Sequence, residues 1–327
     1  MISVIIPIYN SISTIKECLD AVFNSDFKNF EVIVISDSST DDSVKIAKEY
    51  KCKIIELPEN NGPAFARNVG ADNAKGDILF FVDSDVIIKK NALTHISEIF
   101  SNNEISVLQG VYSHTPFYKN IATQYQQSFY CYYTWQENKK YASTLVSMCF
   151  AIRKKIFLET KGFNTKIKSA TAEDEEFGYK LIDKGNKILI SRELNVEHRV
   201  NYTVNKLIRR NFLMYFNTMK SFLRNKSISK KIDQTNYLNI IMGLPILGLI
   251  LFTLFINIFI ANKITLISFI ILNVIFLLLH LKFIKFVSVS KGYFRGVKTI
   301  LICYLDSFLM IFGVFCAYVS YFFGKKY

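Results

Sequence analysis

The sequence predicts an α/β domain with a mostly parallel sheet, followed by an α-helical membrane region. In the N-terminal part, short apolar runs rich in β-branched residues alternate with helix-like segments. In the last third, three long apolar stretches occupy 237–260, 264–284 and 299–323. Each is long enough to cross a bilayer, because a spanning helix needs about 20 apolar residues.

The composition favours a cytoplasmic domain attached to a membrane. Half of the 327 residues are hydrophobic, and the formal net charge is +13. The six cysteines form no CxxC pair and no Cys/His zinc spacing, which indicates reduced thiols. The first residues, MISVIIPIYN, lack the basic and long apolar regions of a signal peptide, and we expect them to begin a strand.

Four strands and three helices are predicted before residue 90. The strands are Ile2–Ile6, Glu31–Ile35, Lys53–Leu57 and Ile78–Val82. The helices cover about 15–22, 41–50 and 63–75, and Thr14 with Glu17 predicts a capping box at the first. Continuous apolar strands indicate a parallel sheet covered on both faces, which binds ligands at the carboxyl ends of its strands.

The segment 104–200 is more mixed. It predicts strands at 106–112, 143–152 and 187–190, and a helix at 172–184. Aromatic residues are concentrated between the first two of these strands: Tyr125, Phe129, Tyr130, Tyr132, Tyr133 and Trp135. Core packing is the slightly favoured interpretation, and a surface that contacts an acceptor or a membrane is the alternative.

A basic segment precedes the apolar stretches. Nine Lys or Arg residues and no acid lie between Arg199 and Lys231. Such a segment beside a membrane attracts anionic headgroups on the cytoplasmic side, although a solvated basic helix is the alternative. No nucleic-acid recognition module is visible, so we expect no nucleic-acid partner. The predicted division is therefore 1–200 for the α/β domain, 201–235 for a basic amphipathic helix and linker, and 236–327 for about three membrane helices.

The membrane topology follows from the charges between the apolar stretches. The short connection 261–263 predicts a helical hairpin, and the basic segment 282–298 is expected in the cytoplasm. A third span would place Lys325 and Lys326 outside, which conflicts with the positive-inside rule. Asp306 lies within that span, and it is either functional, a mark of an interfacial segment, or a tolerated polar residue.

Asp83, Ser84 and Asp85 follow the fourth strand directly. Two carboxylates at positions i and i+2 past a strand end can converge on Mg²⁺ or Mn²⁺, which would bridge them to a diphosphate. An exposed turn pair is the alternative. The position at the end of a buried strand favours the metal site.

Two further strand ends carry polar residues. Asp37 follows the second strand and can accept hydrogen bonds from a base edge or ribose, or can cap the next helix. After the third strand, Gly62 permits a close backbone approach, and Arg67 can reach a phosphate or base, although a surface Arg is the alternative. Three such loops at one edge of a parallel sheet outline a pocket.

Asp174 and His198 are the remaining candidates. Asp174 lies in the acidic run 173–176, where the helix dipole alone favours acids, so a structural role and a general-base role stay open. His198 is either structural, a third metal ligand, or a contact to the leaving diphosphate.

The ordered set of motifs resembles family 2 glycosyltransferases, which have the GT-A fold. The motifs are SVIIPIYN at 3–10, EVIVISDSSTDDS at 31–43, NGPAFARNVG at 61–70, GDILFFVDSDVII at 76–88, KGFNT at 161–165 and TAEDEEFGYKLIDKG at 171–185. The resemblance covers roughly residues 1–200. It implies an inverting transfer in which an activated acceptor hydroxyl attacks the anomeric carbon of a nucleotide-sugar.

The resemblance also implies residue roles. The positions that would hold the donor are Pro7, Tyr9, Asn10, Asp37, Arg67 and Asp83, to which Gly62 and Ser84 are added from their places in the predicted loops. Asp37 would bind the base, Arg67 the nucleotide, and Asp83 the ribose and metal. Mn²⁺ or Mg²⁺ would be held chiefly by Asp85, with Asp83 close to it, and His198 is added as a third candidate ligand from its place in the sequence. Asp174 would be the catalytic base.

Two departures from the family pattern concern the base-binding loop and processivity. Ser36 and Ser38 stand where the family often has Asp and Gly. The QxxRW signature of processive synthases is absent, so we expect addition of one sugar at a time.

The expected protein is a multi-pass enzyme of the cell membrane with a cytoplasmic catalytic domain. Its expected partners are a UDP-sugar, a lipid-linked or cell-envelope glycan acceptor, and membrane lipids. The alternatives are a transport or assembly protein with a nucleotide-sensing domain, and a sugar nucleotidyltransferase.

Overall fold

The computed structural model describes residues 1–115, 117–134, 140–167, 172–224, 238–260 and 262–324. They form two compact units. The first comprises 1–119 and 134–201, and the second comprises 120–133 and 202–326.

The first unit is built on one sheet of nine strands. The strands are β1 Ile2–Ile8, β2 Phe30–Ser36, β3 Lys53–Glu56, β4 Ile78–Val82, β5 Val86–Ile87, β6 Val107–Tyr112, β7 Tyr141–Ala142, β8 Cys149–Arg153 and β9 Ile188–His198. Their order is β3-β2-β1-β4-β8-β6-β9-β5, and β7 pairs with β9. The predicted parallel sheet is confirmed for β1 to β4, whereas β8 runs antiparallel to both neighbours and makes the other half mixed.

The helices, in chain order, are α1 Ile15–Phe23, α2 Ser43–Ala47, α3 Pro63–Asn73, α4 Ala92–Ile99, α5 Ile121–Thr134, α6 Lys154–Glu159, α7 Glu173–Asp183, α8 Val204–Arg224, α9 Leu238–Phe259, α10 Lys263–Lys291 and α11 Tyr293–Phe322. The predicted capping box at α1 is wrong. The Thr14 side chain makes no capping bond, and its hydroxyl lies 3.4 Å from the Ser11 carbonyl oxygen, to which it donates. Thr14 has φ −132° and ψ −28°, which is not the extended backbone that an N-cap usually adopts.

An aromatic cluster fixes α6 and α7 to the sheet. The Phe81 ring of β4 stacks on Phe150 of β8 at 4.7 Å, and Phe163 packs against Phe177 of α7 at 4.5 Å. Phe157 of α6 contacts both Phe81 and Phe177. Burial of each such ring stabilises the fold by about 1.5–3 kcal/mol, so the start of α7 is held firmly beside the strand ends.

The strand predicted at 143–152 begins later in the structure, at Cys149. The preceding residues pass closely over α7 instead of pairing in the sheet. A Cβ atom added to Gly178 would collide with the Leu145 backbone nitrogen, and Leu145 is fully buried. The close approach requires the glycine, and periodicity alone could not reveal it.

The second unit is helical. By length and composition, α10 (Lys263–Lys291) and the segment Phe294–Phe322 of α11 could each cross a membrane. The segment Pro245–Phe259 of α9 is also apolar but shorter. Within this unit Tyr125 and Phe129 of α5 pack in a buried cluster, which confirms the core interpretation of these aromatic residues.

Some predictions fall on positions that the structure does not describe. Trp135, Ala261, and the basic residues Lys226, Lys230, Lys231, Lys325 and Lys326 lie outside the described residues. Tyr237, the first residue of the predicted first span, also lies outside them.

Candidate active site

Three loops meet at the carboxyl edge of the parallel strands. β1 lies between β2 and β4 and is parallel to both, and Ile8 pairs with Ser36. The Asp37 backbone N–H donates to the Ile8 carbonyl oxygen at 2.9 Å. Asp37 and Asp83 therefore follow the ends of β2 and β4 at one edge of the sheet, as the sequence predicts, and Asn10 follows the end of β1 between them.

Asp37 joins the loops after β2 and β3. Its two carboxylate oxygens accept hydrogen bonds from the backbone N–H groups of Asn61 and Gly62, at 2.9 and 2.8 Å. The residue is 3% exposed, and Gly62 has φ +86°, which a glycine adopts without strain. The structure thus gives Asp37 a clamping role that the sequence did not indicate, while base binding stays a prediction.

The loop after β1 presents Tyr9 and Asn10. Tyr9 is 54% exposed, and Pro7 is partly buried in the strand. Asn10 has φ +49°, in the left-handed region that Asn tolerates, and its Oδ1 accepts from the Thr40 N–H at 2.8 Å. Tyr9 is thus open to a ligand beside the Asp37 loop.

Arg67 connects the end of β4 with the start of α7. Its guanidinium lies 2.7 Å from Asp83 Oδ1 and 3.1 Å from Glu173 Oε1. Arg67 and Glu173 are both buried. Burial, reinforced by Asp174, raises the pKa of Glu173 to about 7, although Arg67 opposes the shift. The predicted contact of Arg67 with a nucleotide stays a prediction, and the structure adds this pair of ionic contacts.

Asp174 is held at the N-terminus of α7. Its Oδ2 accepts from the Ser147 N–H at 3.2 Å and lies 3.4 Å from the Ser147 hydroxyl, and its Oδ1 accepts from the Glu175 N–H at 2.9 Å. Met148, which follows Ser147, accepts a hydrogen bond at its backbone carbonyl oxygen from the Asp83 N–H at 3.0 Å. Asp174 is partly exposed, so its oriented carboxylate can still reach a ligand.

Asp85 lies beside His198. The short strand β5 pairs with β9 and sets Val86 opposite His198, which leaves His198 Nε2 3.5 Å from Asp85 Oδ1. The Arg199 N–H donates to the Asp85 carbonyl oxygen at 2.7 Å. Burial opposes the charged form of both side chains, but their attraction outweighs it, so the pKa of His198 is raised and that of Asp85 is lowered.

The residues around Asp85 suit a divalent ion. Asp85 Oδ1 is buried and makes no hydrogen bond within the described residues. A carboxylate oxygen and an imidazole nitrogen are both ligands for Mn²⁺, and Mg²⁺ is usually bound by one or two carboxylates plus substrate phosphates and water. In the described part of the chain, no three His, Cys, Asp or Glu residues cluster as a metal site. An ion bound by Asp85 and His198 would therefore need further ligands, such as phosphate oxygens of a nucleotide-sugar, to complete its coordination.

Ser84 and Arg199 are two further polar residues next to Asp85 and His198 in the sequence. The Ser84 hydroxyl lies 2.8 Å from that of Ser11, which joins the loops after β1 and β4. The Arg199 guanidinium stacks on the Phe117 ring at 3.7 Å and lies 3.0 Å from Glu17 Oε2. Sequence reasoning missed the contacts of Arg199, Ser147 and Glu173. Only Glu173 had a signal, because it adjoins Asp174 in the acidic run.

Residues 3–160 match the family model described as "Glycosyl transferase family 2". The α/β domain is a family 2 glycosyltransferase domain. Curated relatives agree with this assignment. The glycosyltransferase domain is 34% identical over 118 residues to an uncharacterized glycosyltransferase of Haemophilus influenzae, a segment that covers 35% of this chain and 47% of that one. It is 38% identical over 117 residues to a poly(ribitol-phosphate) beta-glucosyltransferase of Bacillus spizizenii, covering 33% and 18%. The match thus spans less than half the length of these relatives.

Solved structures resemble more of the chain. A mannosyltransferase of Pyrobaculum calidifontis, PcManGT in complex with GDP-Man and Mn²⁺, superposes with a TM-score of 0.60 at 15% identity and covers 95% of this chain and 86% of its own. Residues 1–349 of S. aureus TarS in complex with UDP-GlcNAc superpose with a TM-score of 0.52 at 19% identity, covering 99% and 92%. At these identities the likeness concerns the fold, and it confirms the GT-A architecture of the glycosyltransferase domain.

Proposed function

We propose that the protein is an inverting, metal-dependent glycosyltransferase of the cell membrane. It would move one sugar from a nucleotide-sugar to a hydroxyl of a lipid-linked or cell-envelope glycan, and the donor we propose is a UDP-sugar. The family of the domain, a poly(ribitol-phosphate) glucosyltransferase among its relatives, and the UDP-GlcNAc complex of TarS support this choice.

The observation that carries the proposal is the pair of contacts made by Arg67. Asp83 opens the Asp83–Ser84–Asp85 turn, and Glu173 directly precedes Asp174. Because one buried guanidinium binds both Asp83 and Glu173, the proposed donor turn and the proposed base belong to one connected arrangement. Arg67 would act as a positioning residue between them.

Asp174 would remove the proton of the acceptor hydroxyl. A sugar hydroxyl is a poor nucleophile at neutral pH, and a positioned general base contributes about 10²–10⁴ in rate. Ser147 and the Glu175 N–H orient the Asp174 carboxylate, while its partial exposure leaves room for the hydroxyl. Attack on the face of the anomeric carbon opposite the leaving group inverts its configuration.

Asp85 and His198 would hold Mn²⁺ or Mg²⁺. When bound, such an ion supplies electrostatic stabilisation of the departing nucleoside diphosphate. The Asp83 carboxylate forms an ion pair with the Arg67 guanidinium, and this positive charge lowers the repulsion between Asp83 and Asp85. Tyr9, Asn10, Asp37, Gly62 and Ser84 would line the donor site around the loops described above.

The test is a transfer assay with the full-length protein in detergent. Nucleotide-sugars are supplied with Mn²⁺ or Mg²⁺ and extracted envelope lipids, and the released nucleoside diphosphate is measured. Asp174→Asn should abolish transfer and leave donor binding intact, whereas Asp72→Asn, on the exposed face of α3, should behave as wild type. In a parallel reaction with nucleoside triphosphates and sugar 1-phosphates, release of pyrophosphate would indicate a nucleotidyltransferase. Binding of nucleotide without turnover by the wild-type protein would indicate a sensing domain. Either result overturns the proposal.

A further inference from the structure

We propose that α11, the third apolar helix, does not cross the membrane. Together with α8 it lies along the membrane interface, and only the α9–α10 hairpin crosses the hydrocarbon. The C-terminus then stays on the side from which the chain enters the hairpin. This inference rests on the proposed membrane attachment and is independent of sugar transfer.

The first observation is the position and partners of Asp306. It lies near the middle of the apolar segment Phe294–Phe322 and is 6% exposed. Its Oδ1 accepts from Asn211 Nδ2 of α8 at 2.8 Å, and its Oδ2 accepts from the Tyr125 hydroxyl of α5 at 2.9 Å. The centre of α11 is therefore tied to two helices that are not apolar spans.

The second observation is the direction of α8. Asn211 binds Asp306, and Gly313, two turns past Asp306, lies against Phe212 and Tyr215, which are one and four residues past Asn211. A Cβ atom added to Gly313 would come within 3.1 Å of the Phe212 carbonyl oxygen. The two helices thus run in the same direction in close contact, and α8 covers the central part of α11.

The charges on α8 do not suit the middle of a bilayer. Between Val204 and Arg224 the helix carries five cationic residues and no acid: Lys206, Arg209, Arg210, Lys220 and Arg224. Arg209 is exposed and lies two residues from Asn211. If α11 stood upright across the membrane, Arg209 would face hydrocarbon near the midplane, at a cost of about 2.5–3.5 kcal/mol on insertion scales. At the interface, the same side chain reaches anionic headgroups.

The polar residues of α5 lead to the same conclusion. Gln124, Gln126, Gln127 and Ser128 are buried beside Tyr125 in this unit. They would enter the bilayer at the depth of Asp306 if α11 crossed upright. These side chains face protein and not lipid, but a run of polar residues is not typical of a segment at bilayer depth, where helices are predominantly apolar.

The hairpin has the surface that a spanning element needs. On α10, large exposed apolar side chains extend from Ile264 to Leu281, about 27 Å of helix at 1.5 Å per residue. That length approaches the ~30 Å hydrocarbon core. On α9, exposed apolar residues continue to Phe259 at the end of the helix. α10 and α11 are joined at Asn273 and Phe276, where the Tyr304 hydroxyl donates to Asn273 Oδ1 at 2.7 Å and the Tyr304 ring stacks on Phe276 at 4.2 Å.

The remaining surface of α11 is a single aromatic and aliphatic stripe. The exposed residues Leu301, Phe308, Phe312, Phe315, Val319 and Phe322 recur at helical spacing. A helix with one apolar stripe and a polar partner on its other side can lie in the interface plane. In this arrangement Lys325 and Lys326 share a side with Lys291, Arg295 and Lys298, and the conflict with the positive-inside rule disappears.

Reporter fusions to the protein in a bacterial host test the arrangement. Green fluorescent protein, active inside the cell, and alkaline phosphatase, active outside, are each fused after Asn262, after Gly292 and after Tyr327. We expect phosphatase activity only after Asn262 and fluorescence after Gly292 and Tyr327. Phosphatase activity with loss of fluorescence after Tyr327 would show that α11 crosses, and fluorescence after Asn262 would show that the hairpin does not.

Protease accessibility gives a second readout on the full chain. An epitope tag is added after Tyr327, and intact spheroplasts and inside-out vesicles are treated with proteinase. The tag should be removed only in the inside-out vesicles. Removal in intact spheroplasts overturns the proposal, whether or not the reporter fusions are stable.

Discussion

The Arg67 guanidinium lies 2.7 Å from the Asp83 carboxylate in the buried half of the candidate site. Its second partner, Glu173, is 106 positions further along the chain. This pair of ionic contacts holds the Asp83–Ser84–Asp85 turn close to the start of α7.

Arg67→Lys should retain the positive charge but lose one of the two contacts. An ammonium group is a single compact charge and cannot reproduce the planar fork that binds Asp83 and Glu173 together. We expect kcat to fall about 10²-fold, a typical cost of misplacing reacting groups. Arg67→Ala should lower the free energy of unfolding by about 3–5 kcal/mol, since it leaves the buried Glu173 carboxyl group without its ionic partner. Steady-state kinetics and thermal unfolding measure these effects. Lys45→Ala, an exposed cation of α2, is the control, and an equal loss in the control would contradict the account.

Glu173→Gln should change how stability depends on pH. The folded pKa of Glu173 is raised to about 7 from 4.5, so the folded state binds its proton more tightly than the unfolded state does. Its stabilising contribution is complete below about pH 4.5 and is lost as the pH rises through 7. We therefore expect the Tm of the wild type to fall relative to Glu173→Gln between about pH 5 and pH 7. Parallel Tm curves for the two proteins would disprove this.

Asp37→Asn separates clamping of the loops from binding of the base. The substitution weakens the acceptors for two backbone N–H groups, and hydrogen bonds to a charged group contribute about 1.5–3 kcal/mol each. A pure clamp predicts that KM rises by a similar factor for uridine and guanosine sugars, with a lower Tm. A base contact predicts a rise that is specific for one base. Unchanged KM and Tm would exclude both roles.

His198→Ala should weaken binding of the divalent ion more than it affects the fold. The imidazole lies 3.5 Å from Asp85, and loss of one ligand typically costs at least 10-fold in metal affinity. We expect activity to be recovered by raising the Mn²⁺ concentration, and chelation to abolish activity in both proteins. His95→Ala, which removes a histidine outside the site, is the control. Identical Mn²⁺ dependence in wild type and His198→Ala would show that His198 is not a ligand.

Asp306→Ala should destabilise the helical unit without directly altering the catalytic residues. It leaves the Tyr125 hydroxyl and the Asn211 amide without their buried acceptor, at about 1–3 kcal/mol for each unsatisfied group. The expected result is a lower Tm in detergent, measured by tryptophan or dye fluorescence. Phe308→Leu, on the exposed side of α11, should change Tm little. No difference between the two variants would contradict the polar cluster.

The sequence predicted the parallel half of the sheet well. β1, β2 and β4 are continuous apolar runs, and polar loops follow them directly, so both the strands and the shared edge could be inferred. The sequence predicted the bounds of the elements after Ile88 less accurately. β9 extends to His198, eight residues past the predicted end, because its later residues alternate in burial and pair with β5 and β6.

Long-range contacts could not be predicted from the pattern of residues. Arg67 reaches Glu173 only because the Phe81 and Phe177 cluster brings α7 to the sheet, and nothing in the local sequence of Arg67 indicates that partner. α5 is a similar case. Its polar and aromatic residues read as part of the α/β domain, yet it packs with α8 and the apolar helices.

The stereochemistry of transfer tests the central claim most directly. The full-length protein is given an α-linked UDP-sugar and its acceptor, and the anomeric configuration of the product is read by proton NMR. The account predicts a β-linked product from the wild type and none from Asp174→Asn. An α-linked product, or undiminished transfer by Asp174→Asn, would contradict it.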